Sequence, residues 1–106
     1  MSSVNEAVNR RRYERRPYVC TRRMAPYGAG SPLARDYHDI ECRDLSAGGI
    51  GFFAAEKPSS DDLRIELGEV QGSLCIVVAR VVYCRLCCGE AIHRYNIGCQ
   101  FIKRLN

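Results

Sequence analysis

Residues 36–55 read Asp36-Tyr37-His38-Asp39-Ile40-Glu41-Cys42-Arg43-Asp44-Leu45-Ser46-Ala47-Gly48-Gly49-Ile50-Gly51-Phe52-Phe53-Ala54-Ala55. Residues 36–45 read as one strand. Ser46-Ala47-Gly48-Gly49 breaks it tightly, and residues 50–55 resume as the next. Gly48-Gly49-Ile50-Gly51 is followed by no helix, so it is not a phosphate-cradling loop of the Walker or dinucleotide type. Strand, tight turn and strand at this point set the class of the whole chain.

The same pattern continues on both sides. Upstream, residues 18–24 follow Pro17 as a first strand, and residues 25–34, rich in Pro, Gly, Ala and Ser, form a turn or loop. The stretch 21–39 is long for a hairpin connection, so an irregular first hairpin is expected. Downstream, Pro58-Ser59-Ser60-Asp61-Asp62 is another turn. Leu63, Ile65 and Leu67 then alternate with Arg64 and Glu66, as a half-buried strand requires. Residues 73–84 form the longest β-branched stretch, and Gly89 sits in a hairpin loop. Tyr95, Ile97, Cys99 and Phe101 alternate with Asn96, Gly98 and Gln100 as the last strand. Residues 101–106 leave room for one helical turn at most. Six short strands with turns between them predict an all-β fold, a six-stranded antiparallel barrel, whose closure removes exposed sheet edges. Residues 1–17 are expected to be a flexible arginine-rich segment ahead of a barrel spanning 18–106.

At 106 residues the chain has material for a single modest core, and its hydrophobic fraction of 46% argues against wholesale disorder. The longest apolar run, 74–79, is a strand's length and cannot span a bilayer as a helix. There is no apolar N-terminal region of the secretory kind. The seven cysteines are odd in number, which argues against a disulfide framework and predicts a reducing cytoplasm in which most thiols act as small buried hydrophobes. Charge is uneven: residues 1–23 hold seven arginines against Glu6 and Glu14, net +5, while the remainder is net −1. Positive charge confined to one segment points to a local anionic partner.

Two motifs stand out, Arg10-Arg11-Arg12-Tyr13-Glu14-Arg15 and Asp44-Leu45-Ser46-Ala47-Gly48-Gly49. Alone, the first is more often a solvated tail and the second a capped turn. Together, in this order on an all-β chain, they resemble the RRxxxR and [D/N]xSxxG signatures of the PilZ family. Ile50-Gly51-Phe52, Ala79-Arg80-Val81-Val82-Tyr83 and Ile97-Gly98-Cys99-Gln100-Phe101 resemble the strands that follow in that family. Pro17 sets the arginine frame at Arg10, Arg11 and Arg15; a frame shifted by one, through Arg12 and Arg16, satisfies the same spacing.

The resemblance implies a receptor for the bacterial second messenger cyclic di-GMP, with no cofactor and no catalysis. Arginine carries a planar fork of donors that matches phosphate oxygens and guanine O6/N7, which a lysine lacks. Arg10, Arg11 and Arg15 would close over the ligand and signal to a partner protein. Asp44 would accept from the guanine N1–H and N2 amino edge, with Ser46, two residues on, facing the same side. Gly48 and Gly49 would allow close backbone approach, and Tyr83 would stack on a base. A ligand-independent interaction module of the same family and a small nucleic-acid-binding barrel are the alternatives. The second is poorly served by 8% aromatic residues and an acidic body. His38 and His93 are isolated, and no catalytic constellation is legible. Cys84, Cys87, Cys88 and His93 have zinc-like spacing, but no second Cys pair exists and Cys84 is expected to end its strand, so core or hairpin thiols are favoured.

Overall fold

The structure of the chain, a computed structural model, describes residues 14–28, 30, 32–70, 72–88 and 93–106. Six strands follow in chain order: β1 (Arg16–Pro26), β2 (His38–Leu45), β3 (Gly49–Ala54), β4 (Asp62–Val70), β5 (Ser73–Cys88) and β6 (His93–Arg104). A 3-10 turn at Ala34–Asp36 is the one helical element among the described residues. Every pairing is antiparallel, and the ring closes in the order β1-β2-β3-β6-β5-β4. β6 returns between β3 and β5, and β4 closes onto β1. The expected six-stranded antiparallel barrel is the observed one.

Closure follows from the alternation. Leu63 and Ile65 of β4, Ile40 and Cys42 of β2, and Ile97 and Cys99 of β6 all point into one interior with Met24, Ile50, Phe52, Val77 and Ala79. No polar side chain is buried among the described residues. Each large core side chain taken from water contributes about 1.5–3 kcal/mol.

Several element bounds differ from the sequence reading. β1 begins at Arg16 and runs to Pro26, because Ala25 and Pro26 pair with Arg64 and Leu63. Proline is tolerated at a strand end, where its missing N–H interrupts no ladder. β2 starts at His38, two residues late, because Leu33 N–H donates to Asp36 Oδ2 at 2.7 Å and holds Asp36 in the 3-10 turn. Cys84 does not end β5, which continues to Cys88 beside β6. The C-terminus forms no helical turn: Lys103 and Arg104 pair with Val78 and Val77, and Leu105 N–H donates to Ile76 O at 2.8 Å. Gly89 lies outside the described residues. Among the described residues no helix is long and apolar enough to cross a membrane.

Candidate functional site

The site is built by a break in the period of β2. Cys42 and Leu45 both pack against the core although they are three residues apart. An unbroken strand would put them on opposite faces. The register to β3 shifts between Cys42 and Asp44, a β-bulge that restores Leu45 to the interior and leaves Arg43 and Asp44 on the outside together. β1 carries its own register shift opposite, between Pro17 and Cys20.

Arg43 and Asp44 are held above two glycines. Gly51 of β3 and Gly98 of β6 are cross-strand partners. A β-carbon at Gly51 would meet the Arg43 guanidinium at 2.6 Å and Asp44 Oδ1 at 3.0 Å. A β-carbon at Gly98 would meet the Tyr83 ring at 2.1 Å. The two glycines are a floor on which these side chains lie. Tyr83 reaches it through another register shift, in β5 between Val81 and Tyr83, which turns the ring outward while Val81 and Cys84 pack on the core. The Arg43 guanidinium donates to Asp44 Oδ2 and to the Tyr83 hydroxyl, and its Nε donates to Asn96 Oδ1 at 3.1 Å. Arg43 and Arg94 both lie over the Phe53 ring, at 5.8 and 3.9 Å from its centre, and Arg85 lies 5.1 Å from that of Tyr83.

Arg15 joins this cluster from the N-terminal motif. Its guanidinium donates to Asp44 Oδ1 at 2.5 Å, so the two carboxylate oxygens each carry one arginine. The side chains of Asp44 and Arg15 are 17% and 31% exposed, enough shielding to make the pair more than a solvated surface bridge. Arg16, one residue on, contacts Glu14 at 3.6 Å with both side chains in solvent. Arg10, Arg11 and Arg12 lie outside the described residues.

Ser46, Gly48 and Gly49 build the adjacent turn. Ser46 Oγ accepts from the Gly48 and Gly49 N–H groups at 3.2 Å each, and Ser46 N–H donates to Gly49 O at 2.9 Å. Gly48 O accepts from Phe101 N–H at 2.9 Å. A β-carbon at Gly49 would stand 2.1 Å from the Cys99 carbonyl oxygen, so β3 and β6 meet there only because position 49 has no side chain. The Ser46 hydroxyl is thus engaged with its own turn. At the same end of the barrel Glu14, Pro17, Tyr18, Leu45, Ser46 and Ala47 line an open hollow of about 610 Å³. A cavity of about 330 Å³ at the opposite end, lined by His38, Ala54, Lys57 and Leu63, involves neither motif.

The PilZ domain model matches residues 9–106, nearly the whole chain and both motifs. The chain belongs to the PilZ domain family. A solved structure of similar fold, the PilZ domain with c-di-GMP of YcgR from Escherichia coli, superposes with a TM-score of 0.60 at 20% identity, covering 88% of this chain and 78% of that one. No curated protein matches the sequence.

In this PilZ domain the structure brings together Arg15, Asp44 and Tyr83 of the sequence-expected residues, and sets Ser46, Gly48 and Gly49 beside them as the turn. Arg43, Gly51, Asn96 and Gly98 were not among those expectations. One signal for Arg43 was present, the three-residue spacing of Cys42 and Leu45. Cys84 and Cys87 are also three apart in one strand, which sends their side chains to opposite faces. Among the described residues no group of three or more potential ligands is placed to hold a metal ion.

Proposed function

We propose that this PilZ domain is a receptor for cyclic di-GMP and performs no catalysis. The observation that carries the reading is the Arg15–Asp44 contact, which joins the two motifs at one point of the barrel surface. Family membership and the c-di-GMP in the structure of the similar YcgR domain support it.

Arg10, Arg11 and Arg15 supply the guanidinium forks for the phosphates and for guanine O6/N7. Asp44 accepts from the guanine N1–H and N2 amino edge. The glycine floor at positions 51 and 98 seats the Arg43 guanidinium and the Tyr83 ring flat against the sheet, and the outer face of that ring is a stacking surface for a base. Arg43 holds Asp44 and Tyr83 in place. Ser46, Gly48 and Gly49 act through the turn that positions Asp44. Closure of the arginine segment ahead of β1 over bound ligand is the switch, and a partner protein reads the changed surface.

Calorimetric titration with cyclic di-GMP, beside Arg15→Ala and with GTP as control, tests the reading. Saturable binding that the variant loses and GTP does not reproduce is the expected result, with increased hydrogen-exchange protection of the segment ahead of β1 on binding. No heat and no thermal stabilisation at high ligand would overturn it and leave an interaction module of the same fold.

A further inference from the structure

The ligand reading leaves the cysteines unused, and two of them face each other. Cys20 of β1 and Cys42 of β2 are direct cross-strand partners. Both side chains belong to the same interior: Cys42 lies in the core, and Cys20, half-buried, packs against it. Cys20 stands near enough to Cys42 to be among the causes that raise its thiol. Directly opposed residues in an antiparallel pair hold their Cα atoms about 4.5–5.5 Å apart. A disulfide accepts Cα separations of roughly 4.4–6.8 Å. The bond therefore closes without a slip of register. Cys84 and Cys99 are less favourably placed, because Cys84 opposes Ile97 and Cys99 opposes Val81.

We propose that Cys20 and Cys42 are a site of reversible oxidation, closing a β1–β2 disulfide when the folded chain meets hydrogen peroxide. Cys20 is the partner that solvent reaches. Its sulfur attacks one peroxide oxygen, the O–O bond breaks, one water leaves and Cys20 becomes a sulfenic acid. The Cys42 sulfur then attacks the Cys20 sulfur. The S–S bond forms, the S–O bond breaks, and the hydroxyl departs as water with the proton lost by Cys42. Two electrons pass from the two thiols to one peroxide, giving two waters. Burial, and next the neighbouring Cys20, push the Cys42 thiol up to about 12, which makes it a poor first nucleophile and fixes the order of the steps. Its opposed position serves the second step by proximity. The bond adjoins, on its Pro17 and Asp44 side, both the register shift of β1 at Pro17/Cys20 and that of β2 at Cys42/Asp44.

The test treats the folded chain with hydrogen peroxide, blocks the remaining thiols after unfolding, and maps the digested peptides by mass. A linked pair containing Cys20 and Cys42, released by dithiothreitol, is expected, with a thermal midpoint about 5 °C or more above that of the reduced chain. Cys20→Ser removes the linked pair and Cys87→Ser retains it. The map of the unsubstituted chain decides the matter even where a variant fails to fold. Recovery of Cys42 as blocked thiol while Cys20 has advanced to the sulfinic acid overturns the proposal. Linkage of Cys20 to another cysteine or to a second chain overturns it equally.

Discussion

The Tyr83 ring fills the space that a side chain at Gly98 would occupy, with Cε2 standing 2.1 Å from where that β-carbon would be. An aromatic ring over a cross-strand glycine is thereby fixed at the outer face, where its hydroxyl accepts from Arg43. Gly98→Ala displaces the ring without touching Arg15 or Asp44. The ring is a movable neighbour, so the cost to stability should be modest, about 1–2 kcal/mol. Denaturant unfolding together with the near-ultraviolet dichroism of the tyrosines checks both effects, and cyclic di-GMP affinity should fall with them.

Gly49→Ala makes the contrasting case. Its nearest neighbour is the Cys99 carbonyl oxygen, which is backbone and cannot swing aside. β3 and β6 must part at the start of their ladder, so the loss should lie at or above the upper end of the roughly 1–3 kcal/mol typical of overpacking. Equal midpoints for the Gly49→Ala and Gly98→Ala proteins would contradict this account.

Arg43 links Asp44, Tyr83 and Asn96 through one guanidinium. Removing it leaves the fold intact, because the side chain lies on the outer face of the barrel. It leaves Asp44 held, among the described residues, by Arg15 alone and takes from the Tyr83 hydroxyl its Arg43 donor. Arg43→Ala should weaken cyclic di-GMP binding about tenfold, and Asp44→Ala by about tenfold or more, as expected for hydrogen bonds to charged groups worth roughly 1.5–3 kcal/mol. Titration calorimetry on the two variants and on Arg43→Lys, which keeps charge but lacks the fork, measures both effects.

The strands were legible wherever one residue decides one face. Leu63, Ile65 and Leu67, and Tyr95, Ile97, Cys99 and Phe101, alternate cleanly and fall in β4 and β6. Bounds failed where pairing with a distant strand prolongs an element beyond its own pattern. β4 holds Ala25 and Pro26 in β1, and β6 holds residues 85–88 in β5. At the site, Arg15 and Asp44 were named by motif, and Ser46, Gly48 and Gly49 by turn chemistry. The seating of Arg43 and Asp44 over Gly51, and the arrival of Tyr83 above Gly98, depend on register shifts in β2 and β5. A single strand read along its length does not disclose register. Cys42 and Leu45, both apolar and three apart, were the visible trace of one of those shifts.

Ser46 holds its turn by accepting from two backbone N–H groups. Ser46→Ala removes both bonds and should cost about 1–2 kcal/mol, by analogy with the loss of a helix cap. Because Asp44 enters this turn, affinity should fall in parallel, whereas Ser46→Asn, which supplies another short acceptor, should recover part of each. Urea midpoints for the three proteins check the order.

Burial raises the pKa of the Cys42 and Cys99 thiols, so their ionisation in alkali works against the fold. Burial is the main cause that pushes each thiol from an ordinary 9.0 up to about 12, with the neighbouring Cys20 next for Cys42 and Cys84 next for Cys99. A group whose pKa is raised on folding contributes stability that is fully present below its unfolded value and is lost as pH rises towards the folded one. The unfolded chain ionises these thiols first, so stability should fall between pH 9 and about 12, by at most about 1.4 kcal/mol per pH unit for each thiol. Denaturant unfolding across that window should show a shallower slope in Cys99→Ala than in the unsubstituted chain, whatever its stability at neutral pH. Parallel slopes would mean that the Cys99 thiol ionises alike in both states and that its burial carries no alkaline penalty.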